Sequence, residues 1–136
     1  MSTATAGSAA PSLVSLADVL GQVLPVEVQE DGAVLVRHAG TVASLRTVPL
    51  AEGLVVIALT QVLAWDLPCT NELRERVAAL ASSAMFGTVM MSEQPDGHAT
   101  VMLRYNFPAG VDAPALKILV PMVLAGGAEA ATTLRG

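Results

Sequence analysis

The apolar positions change period along the chain. Leu13, Leu16, Leu20 and Val23 recur every three or four residues, which predicts one stripe of a short helix opening near Pro11–Ser12 and stopped by Pro25. Three strand-like runs follow. "VEVQEDGAVLVRHAGTVASLRTV" alternates around an Asp31-Gly32 turn and an Ala39-Gly40 turn. Its strands put Val34, Val36 and His38 on one face against Leu35 and Arg37, and Ala43 and Leu45 against Ser44 and Arg46. After Pro49 and a Glu52-Gly53 turn, "LVVIALTQVLAW" is apolar on both faces. That predicts a long or bulged inner strand covered on both sides.

The helical period returns at Leu73, Val77, Leu80 and Ala84, with Thr70 as N-cap and Glu72 placed to pair with Arg76. Ala and Ser dominate its second half, so a neighbour can approach closely. "FGTVMMSEQPDGHATVMLRYNF" then reads as a hairpin, with Pro95 and Gly97 supplying the turn. Val101, Leu103, Tyr105 and Phe107 share one face of its second strand, and Thr100, Met102, Arg104 and Asn106 the other. On the first strand Val89 and Met91 oppose Thr88 and Met90. A last helix starts at Asp112 and carries Leu116, Leu119, Val120, Val123 and Leu124. Pro121 interrupts its bonding and predicts a kink, and Gly126-Gly127 predicts an end or a loosening. The order is helix, three-strand meander, helix, hairpin, helix. Packing logic makes this a two-layer α+β fold, an antiparallel sheet with helices mainly on one face. Residues 1–11 read as a flexible tail and 12–136 as a single domain.

A two-layer fold leaves one sheet face open, which gives the methionines two readings. Met91 and the Val101–Phe107 row suit the core. Met90 and Met102 fall on the opposite face beside Thr88, Thr100 and Arg104, and these five residues are the candidate partner or dimer surface. Methionine is common on adaptable binding surfaces, and an exposed apolar sheet face suits a peptide or a second copy of the chain.

Composition supports that picture. The 136 residues are 53% hydrophobic, 14% charged and 3% aromatic, with a mean hydropathy of +0.59. Such a chain builds a full aliphatic core and leaves apolar surface over. Net charge is −5, and no basic cluster exists, which argues against binding nucleic acid or attaching electrostatically to a membrane. The apolar runs at 54–59 and 118–125 are shorter than a membrane span. The opening "MSTATAGSAAPS" lacks the charged and apolar regions of a signal peptide. The single thiol, Cys69, fits a reducing compartment, so the expected location is the cytoplasm.

Candidate chemistry is sparse. His38 and His98 stand without ligand-like spacing to other donors, and both read as surface residues. Cys69 sits at a helix start but has no His near it in sequence, and reads as structural. No phosphate-cradling glycine pattern and no Gly-x-Ser-x-Gly occurs. Thr60, Gln61, Ser82 and Ser83 are too weak a polar set for a small-molecule site. No catalytic residue, metal site or cofactor is expected.

Over residues 12–134 the order resembles the YbjN-like family, which shares its fold with type III secretion chaperones. The telling segments are "LRERVAALASSAMFG", the strand pair, "LRYNFPAGVD" and "APALKILVPMVL". Phe107, Pro108 and Asp112 stand where members have a strand end, a proline and a helix-capping acid. Ser82 and Ser83 stand where many members carry asparagines. The resemblance implies a type III secretion chaperone-like fold and a bacterial source. It also implies a non-enzymatic protein- or peptide-binding, chaperone-like role, with a regulator of sensory transduction as the alternative.

Overall fold

A computed structural model describes residues 13–135, and side chains from residue 16 onward. The proposed tail at 1–11 lies outside the described residues. The elements are α1 (Leu13–Leu20), β1 (Val26–Val28), β2 (Val34–His38), β3 (Thr41–Ala51), β4 (Leu54–Pro68), α2 (Asn71–Ser83), β5 (Thr88–Glu93), β6 (His98–Pro108) and α3 (Ala113–Arg135). Six antiparallel strands form one sheet in the order β1-β2-β3-β4-β6-β5. The α+β fold is therefore the expected one, with the "VEV" segment added as a three-residue strand at one edge.

Local sequence accounts for most boundaries. The β2–β3 hairpin closes through Ala39 (φ 47°) and Gly40 (φ 80°), both left-handed, the conformation that matches the right-handed twist of the strands. Thr70 accepts the Leu73 N–H at 3.1 Å and caps α2. Asp112 accepts the Ala115 N–H at 3.0 Å and opens α3.

Three expectations are corrected. The first helix stops at Leu20, and hydrogen-bonded turns carry the chain to Leu24, so Val23 is 46% exposed instead of extending the stripe. Helix α3 runs unbroken through Gly126-Gly127 to Arg135, because its buried residues continue to Leu134 and hold it on the sheet. Arg76 does not pair with Glu72. It donates to the Leu134 carbonyl at 3.3 Å and ties α2 to the end of α3.

The core lies between the sheet and the helices. Leu16 and Leu20 of α1, Leu73 and Val77 of α2, and Leu116, Val120, Val123 and Leu124 of α3 cover one sheet face. From the strands they meet Val34, Val36, Leu45, Ile57, Leu59, Leu63, Val101, Leu103 and Phe107. Helix α3 is long and apolar enough by length and composition to cross a bilayer, and one side of it, through Leu134, packs against the sheet.

A polar junction fixes α3 on the sheet. Gln61 is fully buried on β4. Its Nε2 donates to Thr41 Oγ1 at 2.8 Å and to the Leu124 carbonyl at 3.1 Å, and Thr41 in turn donates to the His38 carbonyl at 2.6 Å. The reverse amide orientation would set oxygen against the Leu124 carbonyl oxygen. Gln61 Oε1 is left without a hydrogen bond, pressed against Gly127, where a Cβ would lie 1.9 Å away. Any side chain at position 127 would overlap Gln61, so α3 needs glycine there to sit this close.

Candidate functional site: the open face of the sheet

Strand β4 is internal and both long and bulged, as its sequence predicts. It is not covered on both sides. Ile57, Leu59, Gln61 and Leu63 are buried under the helices, whereas Val56, Ala58, Thr60 and Val62 are half-exposed on a face that no described element covers.

The antiparallel register arranges that face into rows. Arg37 pairs with Val42, Val42 with Val62, Val62 with Met102, and Met102 with Met90. Directly opposite residues in an antiparallel pair have their side chains adjacent. The row is thus a band of apolar side chains across four strands, with Met90 38% exposed and the other three half-buried. The next row is mostly polar, with Ser44, Thr60, Arg104 and Thr88 following Leu35 at its β2 end. Arg104 is exposed and joins no ion pair among the described residues, unlike Arg37 with Glu27, Arg46 with Asp31 and Arg74 with Glu93. Thr100 pairs with Ser92 one step beyond the methionine row. All five sequence-predicted surface residues, Thr88, Met90, Thr100, Met102 and Arg104, therefore share one face.

Sequence reading missed Trp65. The β4–β6 ladder slips between Ala64 and Leu67, so Trp65 and Asp66 stand against the single residue Thr100. The only tryptophan of the chain is thereby 56% exposed, three residues along β4 from Val62 of the apolar band. Where a bulge falls is a property of strand pairing, and no local signal in "VLAWDLP" places this one at Trp65–Asp66.

The other face of the hairpin belongs to the core. Tyr105 stacks on Phe107 at 5.8 Å between centroids and meets Phe86 edge-on at 6.1 Å. Met91 packs against the buried cluster. Between α2, α3 and the hairpin lies an apolar groove of about 260 Å³, lined by Leu80, Phe86, Val89, Leu103, Val123 and Ala130, with 85%-exposed Met85 at its mouth.

The hairpin base is braced to α2. The Cys69 thiol donates to Glu93 Oε1 at 3.0 Å, Arg74 contacts the same oxygen at 3.2 Å, and the Cys69 N–H donates to the Gly97 carbonyl. The Glu93 hydrogen bond, helped by burial, pushes the Cys69 thiol up. The thiol and the Arg74 guanidinium hold the Glu93 carboxyl down. This thiol is built as a strut and disfavours the reactive thiolate.

At the tip of the hairpin, Asp96 and His98 meet Asp66 from the β4 bulge. These are the described side chains that could hold a cation. Thr60, Gln61, Ser82 and Ser83 do not converge: Thr60 is on the open face, Gln61 is in the core, and the serines end α2.

The sequence matches no protein-family model and no curated protein. Two solved structures share its fold. YbjN from E. coli, described as a putative transcription regulator, superposes with a TM-score of 0.71 at 15% identity, over 88% of each chain. The Yersinia pestis type III secretion chaperone SycH, solved in complex with a stable fragment of YscM2, does so with a TM-score of 0.52 at 20% identity. That match covers 90% of this chain and 95% of SycH.

Proposed function

We propose that this protein is a soluble, cytoplasmic, non-enzymatic module that holds a protein or peptide segment, or a second copy of itself, on the open sheet face. The observation that carries the reading is the Val42–Val62–Met102–Met90 band on a face without a described cover, with exposed Trp65 three residues along β4 from Val62. Exposed tryptophan and methionine are enriched where proteins bind one another. Arg104 beside the band offers a guanidinium to a carboxylate of the partner. SycH, which shares the fold, is itself solved with a protein fragment bound, and this supports a role in holding protein. The domain so used spans 12–136.

Met102→Asp tests the reading. The variant keeps its far-ultraviolet spectrum and unfolds within about 1 kcal/mol of wild type, as half-exposed surface positions do. Self-association by light scattering, or recovery of a specific partner by affinity capture, is lost. If wild type is strictly monomeric and captures nothing, or if Met102→Asp unfolds the domain, the reading fails. YbjN's description as a putative transcription regulator supports a second reading, a sensory regulator acting through one partner on the same face. A deletion strain with an unchanged transcript profile would remove it.

A further inference from the structure

The β4 bulge does more than expose Trp65. It holds Asp66 in the left-handed region (φ 58°) and carries it to the hairpin turn. There one carboxylate oxygen of Asp66, one of Asp96 and a ring nitrogen of His98 all lie within 4.8 Å of one another. The two carboxylates are exposed, and no arginine or lysine among the described residues pairs with either. His98 Nδ1 is shielded from solvent, sits 3.5 Å from Asp96 Oδ1, and has no hydrogen-bond partner. Asp96 Oδ1 already accepts the His98 backbone N–H at 3.0 Å, which fixes the carboxylate beside the ring. Two like charges thus converge, uncompensated by any fixed cation, on an imidazole nitrogen that lacks a partner.

We propose that Asp66, Asp96 and His98 bind a divalent first-row transition-metal ion of the zinc or manganese kind. Two carboxylates and one imidazole are borderline ligands that suit such ions, whereas calcium and magnesium prefer all-oxygen shells. Bonds near 2.0–2.1 Å put tetrahedral ligands about 3.4 Å apart, so small side-chain rotations close the set. With three protein ligands, water completes the shell on the exposed side. The ion pins the bulged end of β4 to the hairpin tip. It belongs to this chain whether or not a partner occupies the sheet.

Trp65, adjacent to Asp66 and alone of its kind, reports the event. Zinc chloride titrated into the full-length, metal-stripped protein gives a one-to-one calorimetric isotherm and a change in tryptophan emission. Manganese chloride binds more weakly, in keeping with the Irving–Williams order, and magnesium chloride gives neither signal. Asp66→Asn, which tolerates the same left-handed backbone, Asp96→Asn and His98→Ala each weaken zinc binding by at least about tenfold. Cys69→Ser and His38→Ala leave it unchanged. Should Asp66→Asn alter the circular dichroism, His98→Ala carries the test. Undiminished zinc binding in His98→Ala, equal binding of magnesium, or silence of both signals overturns the proposal.

Discussion

The two faces of strand β6 obey the same alternation and end up in opposite states. Val101, Leu103 and Phe107 are at most 4% exposed beneath the helices, whereas Thr100, Met102 and Arg104 one residue away are half-buried or exposed. The first face is specified by packing, where a lost methylene leaves a cavity. The second is apolar without being filled. The difference teaches that hydrophobic character on a strand says which residues act together, and that cover by another element decides whether they stabilise or bind.

Substitutions sharpen the contrast. Phe107→Ala costs about 3–5 kcal/mol in denaturant unfolding, whereas Met102→Ala costs under about 1 kcal/mol and shows in association instead. An equal cost at the two positions would break the comparison. Gly127→Ala comes next, at about 1–3 kcal/mol, because the methyl has no room beside Gln61. Gln61→Ala opens that space, so the double variant is more stable than the two single costs predict. A double-mutant cycle with no coupling would show that α3 is not seated on Gln61.

Smaller effects come from the charged groups at the rim. Glu93→Ala removes the hydrogen bond that, with burial, holds the Cys69 thiol up, so the pH midpoint of iodoacetamide alkylation moves lower. No movement would mean the strut is not formed in solution. The Ala33 N–H and then the Arg46 guanidinium hold the Asp31 carboxyl below its usual range. A depressed folded pKa adds stability above the unfolded value of about 3.9 and loses it as pH falls through the folded one. The stability gap between wild type and Asp31→Asn, small at neutral pH, therefore closes in acid. A gap that persists at pH 2 would assign it to something other than this charge.

The sequence by itself determined the element order, both helix caps, the hairpin turn and the membership of each strand face. These rest on contacts within a few residues: Thr70 with Leu73, Asp112 with Ala115, and Gly97 in its positive-φ turn. Thr88, Met90, Thr100, Met102 and Arg104 could be grouped for the same reason, since alternation has a period of two residues. What tertiary structure alone decided lies at contacts between distant segments. Helices settled on one side of β4, although that strand is apolar on both. A slip in its pairing with β6 exposed Trp65 and carried Asp66 to Asp96 and His98. Gln61 found its partners on β3 and α3, and Arg76 turned from Glu72 to the end of α3. Local periodicity fixes the direction of a side chain relative to its neighbours in sequence. What stands in that direction depends on how the whole chain closes.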